Sequence, residues 1–162
     1  MSRLDSFIRR VQAQRACIDE AIALVQGLPG PVFELGLGNG RTYDHLREGC
    51  QGRDIFVFER NVAAHPDCIP DAEHLFEGNL EDTLEAAVGR FSGQVALVHA
   101  DLGSGRADRD AKVSAFVAAR LPLLLAPGGV VASDQDVGWP GAEALALPPE
   151  VRPGRYHLYR KG

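Results

Sequence analysis

A run of alternating glycines is the segment with the clearest chemical character, Glu34-Leu-Gly-Leu-Gly-Asn-Gly40. Glycines at such spacing permit a tight turn whose backbone a ligand can approach closely. The spacing is not the GxGxxG of dinucleotide sites, because Arg41 stands where that motif has its last glycine. Glu34 would repel a phosphate at the following helix N-terminus, whereas its carboxylate suits a ligand that carries a cationic amine.

Polar side chains also follow three later apolar runs, at Glu59, Asn79 and Asp101. A carboxylate at the end of the second strand, such as Glu59, can accept hydrogen bonds from both hydroxyls of a ribose. Each position also has a plain structural interpretation. Glu34 and Glu59 could be solvated strand-end carboxylates, Asn79 could cap the following helix, and Asp101 could be a turn former.

The elements that must position these groups follow from hydrophobic periodicity. One amphipathic helix is predicted from about residue 3 to 26, and short apolar runs alternate with helical segments after it. Strands are predicted at 31–35, 54–58, 73–76, 94–100 and 130–133, and helices at 41–48, 61–65, 81–88 and 108–124. Strands that are apolar on both faces and alternate with helices predict a doubly wound, mostly parallel α/β sheet with helices on both faces. The alternating segment 155–159 predicts an antiparallel edge strand.

The length and composition limit the architecture and the partners. A chain of 162 residues with 45% hydrophobic content corresponds to one domain with a core of its own. We divide it into the N-terminal helix (1–28), a ligand-binding core (31–134) and a short C-terminal region (135–162). The net charge of −5 disfavours nucleic acid and anionic membrane as partners.

Cysteine usage and the N-terminus bear on the compartment. The three cysteines, Cys17, Cys50 and Cys68, form no CxxC pair and no metal-ligand spacing, so we expect reduced thiols. The first 27 residues carry charges throughout and contain no apolar run that is long enough for a signal peptide or a membrane span. These features predict a cytoplasmic protein.

Taken together, the segments from Val32 to Asp134 resemble the class I S-adenosylmethionine-dependent methyltransferases in order and spacing. The resemblance implies that Glu59 holds the cofactor's ribose, that Asn79 and Leu80 meet its adenine, and that Asp101 lies near its methionine end or the substrate. It also implies that the glycine turn cradles the methionine part. The cofactor contacts predicted in this way, with the adjoining Asn39 and Arg60, are Glu34, Gly36, Gly38, Asn39, Gly40, Glu59, Arg60, Asn79, Leu80 and Asp101.

The candidates for a base or for substrate contact are His99, Asp101, Asp134, Gln135, Asp136 and Trp139. Of these, only Asp101 is assigned as a catalytic residue, because a strand histidine such as His99 is more often a packing residue. Asp101, Asp134 and Gln135 resemble the Mg²⁺ ligands of catechol O-methyltransferase-like enzymes, and oxygen ligands suit that ion. However, Gln135 replaces an asparagine and the basic residue that should follow shortly after Asp101 is missing, so we predict no metal.

The sequence therefore predicts methyl transfer from S-adenosylmethionine to a small-molecule acceptor. The alternatives are a protein that binds S-adenosylmethionine without turnover and a nicotinamide-dependent oxidoreductase. The family usually ends in a helix and a two-strand hairpin, and the tail after Asp136 shows only one strand. Because so little chain remains to bind a substrate, we expect the N-terminal helix or a second subunit to complete the pocket. On the second alternative, we predict a homo-oligomer.

Overall fold

The computed structural model describes residues 1–162 and contains four α-helices and seven strands. Ser2 begins the first helix with a capping box, in which its side chain and that of Asp5 each accept a backbone N–H of the other residue. The elements are α1 (Arg3–Leu24), β1 (Val32–Leu35), α2 (Arg41–Gly49), β2 (Ile55–Glu59), β3 (Leu75–Glu77), α3 (Leu80–Phe91), β4 (Val95–Ala100), α4 (Ala107–Leu124), β5 (Leu125–Ser133), β6 (Glu143–Ala144) and β7 (His157–Arg160).

All seven strands belong to one sheet with the order β3-β2-β1-β4-β5-β7-β6. Strands β1 to β5 are parallel to their neighbours, and β7 runs antiparallel to both β5 and β6. The chain moves outward from β1 to β3 and then returns to the other side of β1 with β4. The doubly wound, mostly parallel sheet is confirmed, and its topological switch point lies between β1 and β4.

Helices cover both faces of the sheet. Side chains of α1 and α2 pack on one face with Val32 and Val57, and side chains of α3 and α4 pack on the other face with Phe33 and Phe58. Because successive side chains of a strand point to opposite faces, Glu34 follows Val32 onto the side of α1 and α2. This places one carboxylate inside a mainly apolar layer.

The structure corrects two sequence-based expectations. Residues 61–65 form no helix, and the connection to β3 instead contains two short 3₁₀ turns, Pro66–Cys68 and Ala72–His74. The 3₁₀ turns follow from Pro66 and from the Asp71 side chain, which accepts two backbone N–H groups. The last strand is antiparallel as expected but is not at the edge. The edge is β6, whose two residues are too few to produce a periodic pattern.

No α-helix of the structure is long and apolar enough to cross a membrane. The thiols of Cys17, Cys50 and Cys68 are all unpaired.

Candidate active site

A cavity of about 790 Å³ opens at the carboxyl ends of the central strands, beside the switch point of the sheet. In open α/β sheets this is where ligands bind. Of the residues predicted from the sequence, those that line the cavity are Gly36, Glu59, Arg60, Asn79 and Leu80. The other predicted residues lie outside its lining. The wall opposite Glu59 contains Leu102 and Val113, from the loop after β4 and from α4.

The three glycines of the turn are required for different reasons, and all have positive φ. At Gly36 (φ +91°) a Cβ atom would lie 2.8 Å from the carbonyl oxygen of Asp101, and at Gly40 (φ +85°) it would lie 2.5 Å from the Cβ of Cys68. At Gly38 (φ +53°) nothing lies within 4 Å, so the space above the turn is open. The Asn39 side chain accepts the backbone N–H of Arg41 at 3.1 Å and stays local to the turn.

Glu59 connects the end of β2 to the glycine turn. Its Oε2 accepts the backbone N–H groups of Leu37 (2.8 Å) and Gly38 (3.1 Å), and its Oε1 accepts that of Asn61 (3.1 Å). Burial acts to raise the pKa of Glu59, but these backbone donors outweigh it and hold the pKa below its usual value. The ionised carboxylate retains acceptor capacity toward the cavity, which is what two ribose hydroxyls require.

Asn79 occupies the N-cap position of α3, but its side chain forms no capping hydrogen bond. Only its backbone carbonyl serves the helix, by accepting the N–H groups of Asp82 and Thr83 and the hydroxyl of Thr83. The capping interpretation of the Asn79 side chain therefore finds no support. Its amide lines the cavity next to Leu80, where it can donate to and accept from the edge of an adenine ring.

Asn79→Ala is expected to change the free energy of unfolding by less than about 0.5 kcal/mol, because no side-chain cap is lost. The same change should weaken binding of S-adenosylhomocysteine about fivefold, which corresponds to one neutral hydrogen bond. Urea unfolding and isothermal titration calorimetry measure the two effects. A loss of 1 kcal/mol or more in stability with unchanged affinity would instead assign the side chain to helix capping.

Glu34 is completely buried and does not reach the cavity. Its Oε1 accepts the hydroxyl of Thr42 at 2.8 Å, and Nδ1 of His99 lies 2.9 and 3.0 Å from its two oxygens. Burial alone would lower the pKa of His99, but the adjacent Glu34 carboxylate holds that pKa above its ordinary value. Glu34 therefore has no direct access to the cavity, and the predicted contact between Glu34 and a cofactor amine could only be indirect.

Two residues that the sequence did not single out extend this buried pair. Nε2 of His99 is hydrogen-bonded to the hydroxyl of Tyr156, which precedes β7, and both side chains are nearly or fully buried. Gln14 of α1 donates from Nε2 to Oδ2 of Asp101 at 3.0 Å. The helix α1 therefore contributes a side chain at the end of β4, although none of its residues lines the cavity.

The candidate metal ligands are engaged within the protein. Oδ1 and Oδ2 of Asp134 accept the backbone N–H groups of Leu102 (3.0 Å) and Gly103 (2.9 Å), and the amide of Gln135 donates to Oδ2 at 3.2 Å. Asp134 thereby fixes the loop that follows β4. No group of three or more His, Cys, Asp or Glu side chains is arranged to hold a metal ion.

Asp136 and Trp139 lie beyond β5, near the last strand. Oδ1 of Asp136 accepts the hydroxyl of Tyr159 at 2.6 Å, and the ring of Trp139 is tilted against that of Tyr159. Neither residue lines the cavity. Both instead contact Tyr159 of the antiparallel strand β7.

The arrangement fits an adenosyl cofactor. A ribose requires hydrogen-bond acceptors and an adenine edge requires both a donor and an acceptor, and the ionised carboxylate of Glu59 and the uncommitted amide of Asn79 have these properties. The fold and the site thus define a Rossmann-like domain of the class I methyltransferase type. The sequence model of a family described as S-adenosyl-L-methionine methyltransferase matches residues 1–161, and the chain belongs to this family.

Solved structures support the assignment. The chain is 47% identical to an S-adenosyl-L-methionine methyl transferase from Silicibacter pomeroyi DSS-3, with 100% of this chain and 99% of that chain covered and a TM-score of 0.94. A Podospora anserina methyltransferase in an SAH-bound crystal structure is 16% identical, with a TM-score of 0.55 and 100% and 80% of the two chains covered, and shares the fold. A comparison with curated proteins finds no match. S-adenosyl-L-methionine is accordingly the cofactor of this family.

Proposed function

We propose that the chain transfers the methyl group of S-adenosyl-L-methionine to a small-molecule acceptor. The observation that carries the proposal is the cavity at the switch point, with Glu59 and Asn79 on one side and Leu102 on the other. Its volume of about 790 Å³ lies within the range of small-molecule sites, roughly 300–1,000 Å³. The net charge of −5 disfavours a nucleic acid or an anionic membrane as the acceptor.

When bound, the cofactor supplies a methyl group on a positively charged sulfur. In the transfer, the acceptor's lone pair would bond to the methyl carbon, the carbon–sulfur electron pair would remain with sulfur, and the acceptor's proton would pass to Asp101 or to solvent. The task of the protein is to align the acceptor about 3 Å from the methyl group and to exclude water. The proposed role of Glu59, Asn79 and the backbone at Gly36 is to orient the adenosyl part of the cofactor.

Asp101 is the proposed catalytic residue at the end of β4. Its backbone oxygen abuts Gly36, and its side chain is half-buried and hydrogen-bonded to Gln14 through Oδ2. A carboxylate at this place can attract the amine of the cofactor or accept the proton of the acceptor. Of the candidate bases, His99 is fully buried against Glu34 and has no access to a substrate.

Thermal unfolding with added ligand tests the proposal. S-adenosylmethionine and S-adenosylhomocysteine at millimolar concentration should raise the melting temperature by mass action, whereas NADH should not. Incubation with methyl-labelled S-adenosylmethionine and a panel of small molecules should then transfer label to one class of acceptor. Absence of any shift would reject cofactor binding by this chain. A shift without transfer to any acceptor would favour binding without turnover.

The proposal includes a cytoplasmic location. The three unpaired thiols, two of them buried, are compatible with a reducing compartment.

A further inference from the structure

Buried polar side chains lie in the layer between the sheet and α1, from Glu34 to the end of β4. We propose that Gln14, Tyr156 and His99 are positioning residues that orient the Asp101 carboxylate for the amine at the cofactor's methionine end. The inference rests on the proposed function, because it assigns a role within the same site.

The cost of burying these groups indicates that their arrangement is specific. Glu34 and His99 have 0% exposure, and an ion pair in such a place loses its hydration on folding. No buried side-chain nitrogen or oxygen lacks a hydrogen-bond partner. Buried side chains whose hydrogen bonds are all satisfied can adopt few alternative arrangements, so bonded neighbours fix one another's orientation.

The connections come from elements that are distant in the sequence. Glu34 of β1 and His99 of β4 are register partners on adjacent strands, and this brings the carboxylate and the imidazole within 3.0 Å. Tyr156, just before β7, is bonded to the other nitrogen of His99. Gln14 of α1 lies against the side chain of Tyr156 and donates from Nε2 to Oδ2 of Asp101. Two hydrogen-bonded groups, Glu34–His99–Tyr156 and Gln14–Asp101, therefore lie next to each other, with Tyr156 and Gln14 in proximity.

The second of these groups lies beside the cofactor cavity. The carbonyl oxygen of Asp101 is the atom that a Cβ at Gly36 would strike, and the next residue, Leu102, lines the cavity. Gln14 occupies Oδ2 of Asp101, while no protein donor occupies Oδ1. An amide N–H that donates to one carboxylate oxygen fixes the orientation of the carboxylate and leaves the other oxygen available for a cationic ligand.

Two ligands separate this role from a merely structural one. S-adenosylhomocysteine carries the amino-acid end, whereas 5′-methylthioadenosine has the same adenosine but lacks the amine and the carboxylate. Calorimetry gives the dissociation constant of each, and the ratio between them reports on recognition of the amino-acid end alone. General damage to the fold should weaken both ligands alike and leave the ratio unchanged.

Gln14→Met removes the donor to Asp101 and keeps an unbranched side chain of similar length on α1. We expect it to weaken S-adenosylhomocysteine about tenfold relative to methylthioadenosine, the size of a lost charge-assisted hydrogen bond. Tyr156→Phe keeps the ring and removes the hydroxyl, and should give a smaller change in the same direction. Gln12→Met is the matched control, because Gln12 is exposed on the same helix and lies outside both hydrogen-bonded groups; its ratio should equal that of the wild type.

An unchanged ratio in Gln14→Met and Tyr156→Phe would overturn the inference. If Gln14→Met fails to fold, Tyr156→Phe alone decides the question. Failure of the wild type to bind either ligand would instead reject the proposed function, so the two failures are distinguishable.

Discussion

Glu59→Ala is expected to weaken binding of S-adenosylhomocysteine by about a hundredfold or more. The two hydroxyls of a ribose would each donate to the Glu59 carboxylate, and a hydrogen bond to a charged group contributes about 1.5–3 kcal/mol. The carboxylate also accepts the N–H groups of Leu37 and Gly38, so its loss loosens the turn that approaches the cofactor. The thermal shift that the ligand produces should disappear almost completely, and calorimetry should show the loss of affinity.

Two variants serve as controls for this prediction. Glu77→Ala removes a carboxylate from the register partner of Glu59 on β3, which is exposed and does not line the cavity, and it should leave affinity unchanged. Glu59→Gln keeps the size of the side chain but places an amide against the backbone donors, so it should also weaken binding. Wild-type affinity in Glu59→Ala, with the fold intact by circular dichroism, would exclude Glu59 from the ribose site.

His99→Leu is expected to lower the free energy of unfolding by about 3–5 kcal/mol, because it leaves the Glu34 carboxylate buried without its partner. The double variant Glu34→Leu/His99→Leu replaces both charges with apolar groups and should be more stable than His99→Leu alone. Urea unfolding of the wild type, both single variants and the double variant gives the coupling between the two sites. Simple additivity of the single effects would show that the pair is not coupled.

The contribution of the Glu34–His99 pair to the free energy of unfolding should also depend on pH. The pKa of His99 in the folded protein is raised above the ordinary value of 6.5. Burial lowers this pKa, but the Glu34 carboxylate raises it by more, and Asp101 and Asp134 also raise it. The stabilisation is therefore fully present below about pH 6.5 and is lost as pH rises through the folded-state pKa. The stability difference between the wild type and the double variant should decrease over that interval. A difference that grows with pH would mean that His99 is neutral in the folded protein.

Sequence reasoning predicted most of the elements, because strands buried on both faces and amphipathic helices have different hydrophobic periods. It failed where a segment is too short for a period to develop. The two-residue strand β6 is one such case, and residues 61–65 are another, since they lead into 3₁₀ turns at Pro66 and Ala72. The conformation of such short segments depends on the neighbouring elements more than on the segment's own composition.

The site likewise contains residues that the sequence predicted and residues that only the structure revealed. Gly36, Glu59 and Asn79 follow the strand ends directly, and the carboxyl ends of adjacent parallel strands meet at one edge of the sheet, so a strand-end motif predicts a cavity wall. The structure alone distinguished a capping side chain at Asn79 from an available one. Leu102 and Val113 could have been suspected from their place after β4 and in α4, but no sequence signal marks Gln14 or Tyr156.

The sequence by itself determined the fold class, the glycine turn and the order of polar residues at the strand ends, because these depend on local periodicity and on spacing along one chain. Only the tertiary structure decided that Glu34 faces His99 instead of the cavity, since this depends on the parallel register of β1 and β4, which lie 65 residues apart at these positions. It also decided that α1 contacts Asp101 through Gln14 and that the segment before β7 contacts His99 through Tyr156. Such contacts arise when distant segments bury their apolar faces together, and periodicity does not specify which polar groups then become neighbours.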